Sequence, residues 1–171
     1  MSEILLNVKH LKKYFKTSAG MLHAVDDVSF TIPKGKTMGV VGESGCGKST
    51  LGRTLLQLYE PTGGEILFYE KNIANLSKNE LKTTRPKMQM IFQDPYSSLN
   101  GRMTVHQLIA EPLIVNHICK NKKEIDAKVA QMMDIVGLTS RLSMAYPHEL
   151  DGGRRQRIGV ARALILEPEF V

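Results

Sequence analysis

A glycine-rich stretch constrains this chain more than any other feature: Gly42 to Ser49 has the sequence GESGCGKS. It follows a short apolar run, Thr37 to Val41, that is typical of a strand buried on both faces. It precedes a segment of helix-forming composition, Ser49 to Tyr59. Glycines allow successive backbone N–H groups to point inward, and the following helix presents its positive end to the same place. The pattern therefore predicts a strand, a phosphate-binding loop and a helix.

The residue types in this loop suit a nucleotide with Mg²⁺. The Lys48 ammonium would reach the β- and γ-phosphates, and the Ser49 hydroxyl would bind a Mg²⁺ ion that bridges them. Cys46 has no neighbouring histidine in the sequence, so we interpret it as a loop residue and not as a nucleophile. The predicted nucleotide-binding residues of the loop are Gly42, Glu43, Ser44, Gly45, Cys46, Gly47, Lys48, Ser49 and Thr50.

Composition and charge narrow the class of protein, its compartment and its partners. The chain has 171 residues, 42% hydrophobic and 23% charged, which is typical of a globular protein. Its two cysteines, Cys46 and Cys119, are far apart, which favours a reducing compartment over a disulfide scaffold. No apolar run approaches the roughly 18 residues that a membrane span needs, and the first residues lack a secretion signal. The net charge of +6 favours anionic partners.

Hydrophobic periodicity and capping residues predict the remaining elements. Strands are expected at Leu5–Leu11, Val28–Ile32, Glu65–Tyr69 and Met88–Phe92. Helix starts are indicated by Ser77 with Glu80, by Thr104 with Gln107 and by Asn121 with Glu124. Gly137 is placed to end the helix that begins near Asn121, and a last helix is expected from Gly152 to Leu166.

Three further stretches resemble ABC-type ATPases. Met90–Pro95 resembles their glutamine loop, Leu150–Arg157 their signature motif, and Ala161–Leu164 with Glu167–Pro168 the approach to their second nucleotide-binding strand. These stretches occur in the family's order, and the resemblance as a whole extends from Leu5 to Val171. Asp94–Asn100 and Ala110–Leu113 are similar to the ATP-binding subunits of bacterial oligopeptide and dipeptide importers.

The resemblance implies an α/β fold: a P-loop NTPase core of the ABC ATPase type, with a mixed sheet and an inserted helical subdomain. Residues 1–93 and 151–171 would form the core, and residues 94–150 the helical subdomain. The family's catalytic Glu and its neighbouring Asp lie on a strand that the 171 residues do not reach. The resemblance therefore implies an incomplete core, and it leaves open whether this chain is an enzyme.

Residue roles follow from the same resemblance. Phe15 stands where the family places an aromatic that stacks on adenine, with Tyr14 as the neighbouring candidate. Gln93 would contact Mg²⁺ or the attacking water, so the implied metal ligands are Ser49 and Gln93. The signature residues, which would face ATP bound to a partner subunit, are Asp151, Gly152, Gly153 and Arg154.

The signature departs from the family pattern at two positions. The family usually has Ser where this chain has Asp151, and Gln where it has Arg154. An ionised carboxylate cannot donate a hydrogen bond to a phosphate oxygen, and it adds like-charge repulsion. We therefore expect a weakened contact between subunits, for which Arg154 compensates in part.

The expected function is the ATP-binding subunit of a bacterial importer of oligopeptides or dipeptides that binds Mg-ATP without efficient hydrolysis. The implied partners are a second ATP-binding subunit, identical or paralogous, and transmembrane permease subunits, with a cytoplasmic location on the inner face of the membrane. Two alternatives remain open: a non-hydrolysing regulatory module, and a soluble ABC ATPase acting on nucleic acid. The second is disfavoured because no long coiled-coil or zinc insertion is visible, so no nucleic acid partner is expected.

Overall fold

The computed structural model describes residues 3–94 and 98–171, and it divides the chain into two compact units, Met1–Thr83 and Thr84–Val171. The domain boundaries expected from the sequence, after residues 93 and 150, stay a prediction. Among the described residues, no helix combines the length and the apolar character that crossing a membrane requires.

The first unit is built on a four-stranded antiparallel sheet in the order β2-β1-β3-β4. The strands are β1 Ile4–Thr17, β2 Gly20–Pro33, β3 Gly63–Phe68 and β4 Lys71–Asn72. The central strand β1 pairs Leu6 with Ile32 on one side and with Phe68 on the other. The alternation of apolar and polar residues along these strands explains the pairing, because it places one set of side chains on the buried face. The strands predicted near Leu5, Val28 and Glu65 are confirmed.

Two helices belong to this part of the chain. Helix α1, Lys48–Leu55, buries Leu51 and Leu55 and contacts both β1 and β2. It ends earlier than its composition predicts, because Gln57 has a positive φ of 55° and the chain turns back towards β1. Helix α2, Lys78–Thr84, begins with the predicted capping box, in which the Ser77 N–H donates to the Glu80 carboxylate and the Glu80 N–H to the Ser77 hydroxyl.

Two predicted buried strands are wrong. Residues 36–43 have no regular structure, and Val41 is 95% exposed. In Met88–Phe92, only Met88 pairs, in an isolated parallel bridge with Phe170. A strand buried on both faces needs hydrogen-bonding neighbours on each side and layers above and below it. Among the described residues, no strand pairs with 37–41, so local apolar composition alone does not produce a ladder.

In the described part of the second unit, three helices pack around one aliphatic core. The helices are α3 Val105–Val115, α4 Lys122–Ile135 and α5 Gly152–Leu164, joined in part by short 3₁₀ turns at Ser140–Leu142 and Pro147–Glu149. A further 3₁₀ turn, Arg85–Lys87, follows α2. Fully buried side chains of this core include Leu108, Ile109, Leu113, Val129, Leu138 and Ile158.

The helix boundaries in this unit follow the predicted caps. Thr104 and Gln107 form a capping box at the start of α3, and the Asn121 side chain accepts the Glu124 N–H at the start of α4. Gly137 follows the end of α4 with φ +68°, and the Leu138 N–H donates to the Met133 carbonyl, which is a Schellman ending. Local sequence therefore sets where these helices start and stop.

Candidate nucleotide-binding site

The glycine-rich loop closes on its own lysine. The Lys48 Nζ donates to the carbonyl oxygens of Gly42, at 2.8 Å, and Glu43, at 2.6 Å. The Cys46 N–H donates to the Glu43 carbonyl at 3.4 Å, which tightens the same turn. The backbone of the loop thus curls around the Lys48 ammonium group. A bound phosphate would compete with these carbonyl oxygens as the acceptor of its hydrogen bonds.

Gly47 is required by geometry. It has φ +93°, a left-handed conformation that side chains rarely adopt, and it directly precedes α1. A Cβ atom at this position would lie 2.1 Å from the backbone oxygen of Ala24 on β2. At Gly42, a Cβ atom would lie 2.6 Å from the Cys46 sulfur. The loop therefore packs backbone against backbone, and Cys46 fills space beside Gly42.

Helix α1 begins without a side-chain cap. Gly47 has no side-chain oxygen, and the first turn contains no acidic residue. The free N–H groups and the dipole of a helix start attract an anion. Ser49 is exposed in this first turn and offers a hydroxyl oxygen, which is a hard ligand suited to Mg²⁺. The residues present therefore fit a phosphate group with magnesium.

The two aromatic candidates for the base have different surroundings. The Tyr14 ring stacks on His23 at 3.9 Å, and the Tyr14 hydroxyl donates to Asp26. That hydrogen bond raises the pKa of Tyr14 and lowers the pKa of Asp26. Phe15 is half-buried, contacts Tyr59 edge to face, and carries Lys13 over its ring. Since Tyr14 already has a stacked partner, the geometry favours Phe15 of the two.

The predicted signature residues begin helix α5. Asp151 is the N-cap, and its Oδ1 accepts the Arg154 N–H at 2.8 Å. The Arg154 Nε lies 3.4 Å from the other carboxylate oxygen. Gly152 and Gly153 are exposed in the first turn. This capping role was not predicted, although an Asp directly before a helix is itself a standard start signal.

Two arginines that the sequence analysis did not assign hold the same helix in place. The Arg157 Nη1 donates to the carbonyl oxygens of Gly137, at 2.8 Å, and Val136, at 3.3 Å. The Arg155 Nε donates to the Pro147 carbonyl at 2.6 Å. Guanidinium groups beside terminal carbonyls satisfy acceptors that a helix end leaves free. In the sequence these residues were part of the stretch Leu150–Arg157 that resembles the signature motif, and no local signal indicated their acceptors.

The predicted site residues fall into two sets. The loop residues 42–50 and Phe15 lie in the first unit, whereas Gln93 and the residues Asp151–Arg154 lie in the second. Gln93 is exposed in a bend. Part of the peptide-importer motif Asp94–Asn100, namely Pro95, Tyr96 and Ser97, lies outside the described residues.

Comparison with known proteins agrees with this geometry. The family described as ABC transporter matches residues 25–171. The chain belongs to the ABC transporter family. It resembles solved ABC cassettes along nearly its whole length: the dimeric bacterial cassette MJ0796 superposes with a TM-score of 0.87 at 27% identity, covering 95% of this chain and 70% of that one. A second structure of that cassette is a post-hydrolysis state bound to ADP and Pi. The ABC ATPase fold expected from the sequence is therefore confirmed.

Curated relatives place this ABC cassette among proteins named for peptide transport. It is 54% identical to the oligopeptide transport ATP-binding protein OppF of Bacillus subtilis, over all of this chain and 56% of that protein. It is 49% identical to the dipeptide transport ATP-binding protein DppF of Lactococcus lactis, over 98% of this chain and 54% of that protein. The cassette thus spans about half the length of these relatives, and the resemblance to peptide-importer subunits is confirmed.

Proposed function

We propose that this chain forms the nucleotide-binding part of a peptide-importing ABC transporter and binds Mg-ATP at its phosphate loop. The observation that carries the proposal is the position of Lys48. Its ammonium group donates to two loop carbonyl oxygens at the start of α1, where no side chain caps the helix. The names of the relatives support the peptide cargo. When bound, Mg²⁺ would neutralise charge on the β- and γ-phosphates, with Ser49 as its proposed ligand in the first unit.

Each residue of the first unit has a defined role in this proposal. Lys48 exchanges its carbonyl acceptors for phosphate oxygens, and the amides of the loop and the first turn of α1 donate to the same oxygens. Gly42 and Gly47 keep the backbone close enough for those contacts, since a Cβ atom would collide at either position. Phe15 stacks on the adenine base.

The proposed partners are a second ABC cassette and transmembrane permease subunits, with the chain on the inner face of the membrane. Gly152 and Gly153 at the start of α5 would face ATP held by the second cassette. Asp151 occupies that helix start with its own negative charge, so the contact is expected to be weak. Asp151→Ser keeps a capping oxygen and removes the charge. It should therefore increase nucleotide-driven dimerisation in sedimentation velocity, and an unchanged dimer fraction would favour a regulatory module.

Calorimetric titration of the 171-residue chain with Mg-ATP tests the proposal. Lys48→Ala should raise the Kd on the order of a hundred-fold, because it removes charge-assisted bonds worth about 3 kcal/mol. Lys9→Ala is the matched control: Lys9 lies on β1 and its ammonium is 4.0 Å from the exposed Glu65 carboxylate, so it should leave the Kd unchanged. Equal affinity of Lys48→Ala and the parent chain would refute the proposed site.

Phosphate release followed in the same samples addresses turnover. We expect binding without efficient hydrolysis from these 171 residues, as the family resemblance implies. Turnover that is rapid in the parent chain and lost in Lys48→Ala would contradict this expectation while leaving the binding proposal intact.

A further inference from the structure

Four side chains of the first unit form a connected cluster beside the phosphate-loop helix: Lys13, Phe15, Arg53 and Tyr59. Lys13 and Phe15 are on β1, Arg53 is in the last turn of α1, and Tyr59 follows that helix. The phosphate loop accounts for none of these contacts, although α1 is common to both.

Two hydrogen bonds connect Tyr59 to helix α1. Its backbone N–H donates to the Arg53 carbonyl at 3.3 Å, and its hydroxyl accepts from the Arg53 Nη1 at 3.2 Å. The ring is half-buried. Two contacts to one residue of α1 therefore fix both the backbone and the far end of this side chain, so that the orientation of the ring follows that of the helix.

The segment around Tyr59 is also held from the side of the strand. The Lys13 Nζ donates to the Glu60 carbonyl at 2.8 Å, and the Thr62 N–H donates to the Lys12 carbonyl at 2.8 Å. The Tyr14 N–H donates to the Thr62 hydroxyl at 3.2 Å. Residues 59–62 therefore cannot shift along β1 without breaking several hydrogen bonds.

The Phe15 ring contacts both an aromatic ring and a cation of this cluster. Its ring centroid is 5.5 Å from that of Tyr59, with an interplanar angle of 86°. The Lys13 Nζ lies over the Phe15 ring, 4.8 Å from its centroid. Because Lys13 covers one face of the Phe15 ring, a planar base would stack on the opposite face.

We infer that Tyr59 is a positioning residue for the nucleotide base: its ring holds Phe15 in the stacking orientation, and its bonds to Arg53 connect Phe15 to the helix that starts at Lys48. The inference rests on the proposed function. Through Arg53 and Tyr59, the helix proposed to bind the phosphates would be connected to the ring proposed to bind the base. Lys13 limits stacking to a single face of Phe15.

The test compares two probes, Mg-ATP and inorganic tripolyphosphate, which has no base, by calorimetric titration of the 171-residue chain. Tyr59→Ala should raise the Kd of Mg-ATP about five-fold, the effect of losing an aromatic pair, and change that of tripolyphosphate less than about two-fold. Tyr59→Phe keeps the edge contact and loses the Arg53 bond, so its effect on Mg-ATP should be about two-fold. Unchanged tripolyphosphate binding also shows that each variant is folded.

Tyr69→Ala is the matched control, because the Tyr69 ring makes a similar edge contact, with Phe68, at 5.0 Å. It should leave the preference for ATP over tripolyphosphate unchanged. A Tyr59→Ala variant that weakens both probes equally, or neither, overturns the inference. A parent chain that binds both probes with the same affinity overturns base stacking at Phe15, and a parent chain that binds neither overturns the proposed function itself.

Discussion

Helices α1 and α5 both have glycine at or next to their first residue, and yet they start differently. Helix α1 follows Gly47, which has a left-handed backbone and no side chain to cap the helix. Helix α5 follows Asp151, whose carboxylate accepts the Arg154 N–H. The second helix therefore carries its own anion at its positive end, whereas the first has only backbone N–H groups there. A glycine-rich helix start becomes an anion site only when the residue before it leaves those N–H groups unpaired.

Of the substitutions at these helix starts, Gly47→Ala should have the largest effect on stability and on Mg-ATP binding. A left-handed alanine costs about 1–2 kcal/mol, and the Cβ atom must also displace the Ala24 carbonyl, which lies 2.1 Å from its position. We expect a loss of more than about 2 kcal/mol in unfolding free energy, measured by urea denaturation, together with loss of Mg-ATP binding. Gly45→Ala is the control: its φ is +81°, but a Cβ atom would meet nothing within 4 Å. Equal losses in the two variants would show that the contact with Ala24 has no role.

Asp151→Ala should have a smaller effect on stability than Gly47→Ala. Removing a side-chain N-cap costs about 1 kcal/mol, and urea denaturation measures it. Asp151→Ser supplies another capping oxygen and should stay within about 0.5 kcal/mol of the parent chain. If serine destabilises as much as alanine, the charge of Asp151, and not its hydrogen bond, holds the helix start.

A third helix start, that of α2, gives a pH-dependent case. The Ser77 hydroxyl, the Ser77 N–H and the Lys71 ammonium, in that order, lower the pKa of Glu80 from 4.5 to about 2. Because the folded pKa lies below the unfolded one, this stabilisation is complete above pH 4.5 and declines as the pH falls towards 2. Unfolding in urea at pH 5 and pH 3 should show a smaller decrease in stability for Glu80→Gln than for the parent chain. The same decrease in both would contradict the Glu80 contribution.

The smallest effect is expected from Arg154→Ala. The Asp151 carboxylate accepts the backbone N–H of residue 154, which alanine retains, and the side-chain ion pair is exposed. Exposed pairs contribute little, so the unfolding free energy should change by less than about 0.5 kcal/mol. A larger decrease in unfolding free energy would show that the ion pair, and not the bond from the backbone N–H of residue 154 to Asp151, stabilises the helix start.

Local signals in the sequence predicted helix starts and ends well. Thr104, Asn121 and Gly137 act where their residue types indicate, because caps depend on three or four neighbouring residues. The strand patterns near Leu5 and Val28 were also sufficient, since β1 and β2 are neighbours in sequence and pair through a short turn.

The errors arose where distant residues decide the outcome. Thr37–Val41 has the composition of a buried strand, but strand formation requires partners, and its apolar side chains are exposed at Val40 and Val41. The loop residues 42–50 could be predicted because one short motif specifies them. The acceptors of Arg155 and Arg157 could not, since they lie up to 21 residues away. The family pattern related Asp151 only to a phosphate contact, and its role as an N-cap was therefore not predicted.

The close approach of Gly137 to Arg157 limits the order in which mutations can accumulate. A Cβ atom at 137 would lie 2.7 Å from the Arg157 Nη1, and φ at 137 is +68°. Any larger residue at 137 therefore has to displace a guanidinium that donates to two carbonyl oxygens at the end of α4. A shorter residue at 157 would make room, but it would leave those oxygens without their donor. Each step is thus unfavourable in either order, and we expect both positions to stay as they are.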